Sequence, residues 1–197
     1  MTRTLSWWAL ALLSLAVAVF SYRVAFPHPF VSPDVAANLA ARPWLPIHAA
    51  LASTALLLGP FQFVTRLRVR RPALHRTLGQ VYVAACLLGG VAGLLLAWGT
   101  TAGPVGQAGF GLLAIVWIAT TAYAWRLAVA RRFVEHRRWM VRSFALTFAA
   151  VTLRLYLPIA PMMGWDFMVA YRAISFLCWV PNLIVAELYL MGGRRSS

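Results

Sequence analysis

The sequence predicts an all-α integral membrane protein, a bundle of six transmembrane helices, and three observations predict it. Of the 197 residues, 62% are hydrophobic and only 11% are charged, where a soluble domain carries about a quarter charged residues. A chain with so little polar surface has to be solvated largely by lipid. Six apolar windows approach the roughly 20 residues that a membrane-crossing helix requires. The arginines, finally, gather in the gaps on one side of those windows, as the positive-inside rule has it.

The windows follow one another as a single transmembrane domain, 1–197. The first, residues 7–26, comes after Met-Thr-Arg-Thr. Its apolar core is long for a signal peptide and no small-x-small cleavage site follows, so it reads as a retained anchor. Pro27, Pro29, Pro33 and Pro43 punctuate the next stretch; prolines remove backbone donors, which places this loop outside the hydrocarbon. The second window is 44–64 and the third 80–98. A Gly/Thr/Pro turn over Gly99–Gly106 leads to the fourth, 109–126. The fifth is 140–161, and a short connection, Met162–Val169, leads to the sixth, 171–191.

The formal net charge of +14 comes from arginine, with no lysine in the chain. With six crossings, Arg3, Arg66, Arg68, Arg70, Arg71, Arg76, Arg126, Arg131, Arg132, Arg137, Arg138, Arg142, Arg194 and Arg195 share one side. The other side receives Arg23, Arg42 and Arg172, and Arg154 lies inside the fifth helix. The asymmetry puts both termini and both basic loops in the cytoplasm. No aromatic-basic ribbon suited to stacking bases accompanies the charge, so the expected partner is a bilayer with anionic head groups and not nucleic acid. Trp7, Trp8, Trp44, Trp98, Trp125, Trp139 and Trp165 fall near window ends, as an interfacial belt requires, while Trp117 and Trp179 are deeper and read as packing residues. Cys86 and Cys178 lie within apolar runs and read as buried thiols. Gly89, Gly90 and Gly93 give the third helix a small-residue face on which a homodimer or a membrane complex can form.

Two basic loops share a pattern. Arg70–Arg76 and Arg131–Arg137 both fit R-R-x-x-x-H-R, and aligning His75 with His136 superposes them 61 residues apart. Each joins two windows, two to three and four to five, which suggests two parallel helical-hairpin repeats.

Several segments resemble one family. They are G-P-x-Q-F at Gly59–Phe63, H-R-x-x-G-x-x-Y at His75–Tyr82, H-R-R-W-M-V-R-S-F-A-L-T-F-A-A-V-T-L-R at His136–Arg154, and W-V-P-N-L-x-V-A-E at Trp179–Glu187. Together they resemble the domain of unknown function 2306 family, bacterial multi-pass membrane proteins, over nearly the whole chain after the first window. The resemblance implies an integral membrane protein and no particular activity; with the topology, it implies a bacterial inner (plasma) membrane.

Chemistry therefore has to be read from residues. Ionisable groups at membrane depth are candidates by default. Arg154 sits about 20 Å from the cytoplasmic edge and Glu187 only about 6 Å, at helical rise, so they do not suit each other. Arg138 or Arg142 is the better partner for Glu187, whereas Arg154 calls for backbone carbonyls near Pro158 or for an anionic ligand. Asn182, following Pro181, suits a carbonyl freed by that proline. The four histidines are His28, His48, His75 and His136. His75 and His136, on one side and each at the threshold of a helix, suit the two axial positions of a haem b, with Arg76, Arg137 and Arg138 on its propionates; Arg154 and His48 would mark an outer site. Against this, no helix carries two histidines, and the same pair also suits contact with head-group phosphates. No Ser-His-Asp set, H-E-x-x-H, paired carboxylates or phosphate-binding loop is present, and four acidic residues speak against a divalent-metal catalyst. Three functions remain: a haem-b membrane redox component, a small carrier or anionic-lipid-binding protein, or a structural partner in a membrane complex.

Overall fold

The computed structural model describes residues 2–25 and 42–192, and in the first helix the side chains of residues 7–23. The loop prolines Pro27, Pro29 and Pro33, with His28 and Asp34, lie outside the described residues. Every regular element described is helical. Five stretches are long and apolar enough to cross a membrane: Trp44–Phe63, Pro72–Trp98, Gly103–Val129, Phe133–Met162 and Phe167–Gly192. The first helix is shorter in its apolar part, Trp7–Arg23. The chain divides into two compact units, Met1–Leu96 and Ala97–Ser197.

In the first unit, α1 (Thr2–Ala25) packs against α2 (Trp44–Leu58). Each helix carries a strip of buried, mostly small residues: Ser14, Ala18 and Ser21 on α1, Ala49, Ser53 and Leu56 on α2. Both sets step by i, i+4, i+7 or i, i+3/4, one face of a helix, and small side chains let the two backbones approach. Tyr22 Oη and Thr54 Oγ1 share a 2.7 Å hydrogen bond, and Trp7 Nε1 donates to the Pro60 carbonyl. Pro60 opens a 3-10 turn, Pro60–Phe63, and a short helix α3 (Thr65–Arg70) follows. Arg71 leaves the helical region (φ −136°, ψ 66°) because the next residue is Pro72. Pro72 then starts α4 (Pro72–Trp98), where its missing N–H costs nothing.

The glycine face of α4 is used inside this unit. A Cβ built on Gly93 would stand 2.9 Å from His48 Nδ1, and one on Gly79 3.1 Å from Gln62 Oε1. The glycines at these two positions thus make room for polar side chains of the same unit.

The second unit begins with α5 (Gly103–Val129), which turns into α6 (Phe133–Thr147). Arg131 makes that turn in the left-handed region (φ 58°). Arg131 N–H reaches Ala128 O and Arg132 N–H reaches Leu127 O, at 3.0 and 2.9 Å, the two bonds of a Schellman C-cap. A polar seam joins the hairpin: Trp117 Nε1 donates to Thr147 Oγ1 (2.9 Å), and Thr121 and Ser143 share a 2.7 Å hydroxyl pair. The fifth window continues past a break at Phe148 as α7 (Ala149–Tyr156) and α8 (Ile159–Met162). Gly164, at φ +68°, closes a second Schellman turn, with Trp165 N–H on Ala160 O. The last window is α9 (Phe167–Leu177), capped by Asp166 Oδ1 on Val169 N–H, and α10 (Val180–Gly192). Pro181 causes the break between them, because Leu177 O loses its i+4 donor. α9 packs on α5 and α7, and α10 on α6.

Helix ends differ from the windows. α4 starts at Pro72 instead of residue 80 and α5 at Gly103 instead of 109, since hydropathy marks the lipid-crossing part and not the helix. Pro104, read as part of a turn, lies in the first turn of α5. Trp117 and Trp179 are 5% and 8% exposed while Trp98 is 85% exposed, which matches the division into packing and interfacial tryptophans. Cys86 and Cys178 are both buried, and neither forms a disulfide.

Candidate functional site

The R-R-x-x-x-H-R pattern has one local structure in both places. Its second arginine, Arg71 or Arg132, is the last non-helical residue, and its carbonyl accepts from the N–H of His75 (3.0 Å) or His136 (2.9 Å). Both histidines are therefore first-turn residues of a long helix. What precedes them differs: a six-residue helix in the first unit, a tight Schellman turn in the second. His75 and His136 belong to different units. His75 is half-buried and Arg76 exposed.

In the second unit, the end of the hairpin that carries Arg131 gathers most of the polar chemistry. His136 Nδ1 lies 2.8 Å from Ala124 O. A carbonyl only accepts, so Nδ1 carries a proton, and the neutral tautomer with that proton has its lone pair on Nε2. Six residues on, Arg142 makes a two-pronged ion pair with Glu187 of α10: Nε to Oε1 at 2.5 Å and Nη2 to Oε2 at 2.8 Å. This settles Glu187 on Arg142, one of the two arginines that depth had favoured. The Arg142 guanidinium also lies 4.8 Å from the Trp139 ring centroid. Trp139 meets Tyr123 of α5 edge-on, centroids 4.7 Å apart, and Arg126 sits 6.0 Å from the Tyr123 ring. The outcome is one row, Arg126–Tyr123–Trp139–Arg142–Glu187, running across α5, α6 and α10. Helical spacing produces it: Tyr123 and Arg126, and Trp139 and Arg142, are i, i+3 pairs.

Around the row stand arginines that meet no carboxylate. Arg137 is exposed and Arg138 half-buried. Arg132 pairs with Glu135 in the first turn of α6, which raises its guanidinium above the ordinary value through the hydrogen bond and the charge. Among the described residues these two ion pairs are the ones present. No group of three metal-ligating side chains occurs among them either.

Deeper, Asn182 occupies the meeting point of two helix breaks. Its Nδ2 lies 3.3 Å from Ala145 O, 2.8 Å from Thr152 Oγ1 and 3.0 Å from Cys178 O, and Thr152 Oγ1 bonds back to Asn182 Oδ1. The side chain was expected to serve a carbonyl freed by Pro181, which is Leu177 O. It serves Cys178 O, one residue on, and ties α10 to α6 and α7.

Arg154 corrects a second expectation. Its Nη1 donates to Ala150 O at 2.9 Å and not to a carbonyl near Pro158. Helical side chains lean toward the N-terminus, so an arginine reaches one turn back. The carbonyl that Pro158 leaves without an i+4 donor is Arg154's own. A charged arginine at the centre of a span costs about 3 kcal/mol on insertion scales. In the first unit, His48 Nδ1 bonds Gly89 O at 2.8 Å, beside Gly93.

The Trp139–Tyr123 platform and the Thr121–Ser143–Thr147–Trp117 seam were not among the sequence candidates. Their signal was the i, i+4 repeat of Ser143 and Thr147 facing that of Trp117 and Thr121 across an antiparallel turn.

A family model described as "Predicted membrane protein (DUF2306)" matches residues 45–190. No curated protein and no solved structure matches the chain at a significant level.

Proposed function

The chain belongs to the DUF2306 family of predicted membrane proteins, and from that premise we propose that it is a six-span protein of the bacterial inner membrane whose basic end, turned to the cytoplasm, holds anionic lipid head groups. The arginine asymmetry of the sequence supports the orientation. The 24-residue length of α1 supports a sixth crossing, since at 1.5 Å per residue it reaches about 36 Å. One observation carries the lipid reading. The row Arg126–Tyr123–Trp139–Arg142 is a cation–aromatic platform held in place by Glu187, and Arg137 and Arg138 beside it meet no acid of the described chain. Aromatic rings belong at head-group level, and each arginine near an anionic surface contributes about 1 kcal/mol. The test is melting of the purified chain in nanodiscs of phosphatidylcholine with and without phosphatidylglycerol. The anionic lipid is expected to raise Tm, and Arg137→Gln with Arg138→Gln to remove most of the rise. Equal Tm in both lipids rejects the reading.

One observation favours haem b as a second reading. His136 donates Nδ1–H to a backbone carbonyl, which is how ligating histidines are commonly oriented, with Nε2 left for the iron. Arg137 and Arg138, the next two residues of the same helix, would receive the propionates. Haem would supply one-electron transfer; the chain would set the ring tautomer and hold the carboxylates. A reduced-minus-oxidised spectrum of the purified protein without a haem band rejects it.

A further inference from the structure

We infer that Arg154 is a binding site for an oxyanion, a carboxylate or phosphate, received inside the membrane-spanning part of the second unit. This does not rest on the lipid reading of the basic end. The chain has four acidic residues, and their engagements account for Arg154 by elimination. Glu135 pairs with Arg132. Glu187 is held by both prongs of Arg142. Asp166 caps α9 through Val169 N–H. Asp34 lies outside the described residues. Within the described chain, no carboxylate meets Arg154.

A guanidinium keeps its charge at physiological pH and offers five N–H donors in a rigid fork. Here one of them is used, Nη1 on Ala150 O. Arg154 stands eight residues before Met162, so the near end of its span is about 12 Å away. Its bond to Ala150 O, one turn back, is the ordinary lean of a helical side chain and keeps the guanidinium within the span. The Ala150 carbonyl holds one edge of the guanidinium and leaves the remaining donors for a bidentate acceptor, the geometry that carboxylates and phosphates match. Two sources supply such a group: an amphiphile from the bilayer, with its chain in lipid, or a small anion from water.

The experiment uses the full chain purified in dodecyl maltoside, a detergent without charge or phosphate. Sodium oleate and inorganic phosphate are titrated separately against wild type, Arg154→Gln, Arg154→Lys and Asp34→Asn, with Tm and binding of radiolabelled probe as readouts. Wild type is expected to bind at least one probe saturably and to melt higher when it is bound. Arg154→Gln should lose about tenfold or more in affinity, and without probe it should melt no lower than wild type, because it removes an uncompensated charge. Arg154→Lys, with the charge but not the fork, should bind between the two. Oleate binding alone marks a bilayer-borne ligand and phosphate binding alone a water-borne one; each supports the site. Arg154-independent binding, or binding of neither probe, overturns it. So does a probe-free Arg154→Gln that melts below wild type together with an Asp34→Asn that falls equally, since the arginine would then have an acid of its own chain.

Discussion

Arg142 on α6 and Glu187 on α10 meet in a two-pronged ion pair at 2.5 and 2.8 Å, although 45 residues separate them in the chain. It is the side-chain clamp between the two helices at the basic end of the second unit, and it carries a consequence for stability. Side-chain exposures of 17% and 38% mean that water screens the pair in part. Glu187→Gln and Arg142→Gln should each lower stability by about 1 kcal/mol, and a double-mutant cycle should return a coupling of similar size. Additive single effects, measured as unfolding free energies in a mixed-micelle titration, would mean that the clamp contributes nothing.

Asn182 makes a different kind of junction. It bonds Thr152, Ala145 O and Cys178 O where both helices are interrupted. Interhelical side-chain hydrogen bonds in membranes average about 0.6 kcal/mol, with a maximum near 1.7. Asn182→Leu is expected to cost about 1–2 kcal/mol, because it also leaves Thr152 to its bond with Phe148 O alone. Thr152→Val should cost less, since the asparagine retains its two carbonyls. Equal losses would place the weight of the junction on Thr152 instead.

How much of this was legible in the sequence depends on distance along the chain. Hydropathy located the five long spans and the charge pattern located the basic loops, because both are properties of segments. Counting residues inward from a helix end was enough to pair Glu187 with Arg138 or Arg142, since depth is additive along a regular helix. The expectation of carbonyls at or near a proline missed at Asn182 and Arg154. There the helices are interrupted at Phe148, at Pro158 and before Pro181, and the partner depends on which way a side chain leans at the break. The helix starts were less legible: Pro72 and Pro104 lie in the first turns of α4 and α5, ahead of the apolar windows, because hydropathy marks the lipid-crossing part and not the helix. The Gly89–Gly93 face was legible as a close approach, but the occupant, His48, was not, because a small-residue stripe states only that room exists.

Gly109 lets α5 and α9 approach closely in the second unit. A Cβ built there would lie 2.1 Å from Ser175 Oγ and 2.7 Å from Ser175 Cβ. Backbones of α5 and α9 cannot both stay in place with a methyl group between them. Gly109→Ala should destabilise by about 1–3 kcal/mol, the usual cost of overpacking. Ser175→Ala in the same chain should not restore stability, because Cβ itself clashes; Ser175→Gly should restore part of it. Rescue by Ser175→Ala would show that the hydroxyl alone was in the way.

Arg131 closes the α5–α6 turn with φ 58°, a conformation disfavoured for a residue with a Cβ. The neighbouring Schellman bonds hold it there, and the equivalent position of the next such turn is Gly164, at φ +68°. Arg131→Gly should therefore leave the protein as stable or more stable by up to about 1 kcal/mol, the relief of left-handed strain less the added freedom of glycine in the unfolded chain. Arg131→Val removes the same charge but adds a β-branched side chain where one fits worst, and should cost about 1–2 kcal/mol. Comparing the two separates charge from conformation. If both variants lose stability equally, the arginine's charge governs the turn; a spread between them, read as Tm in the same detergent, assigns the effect to the backbone.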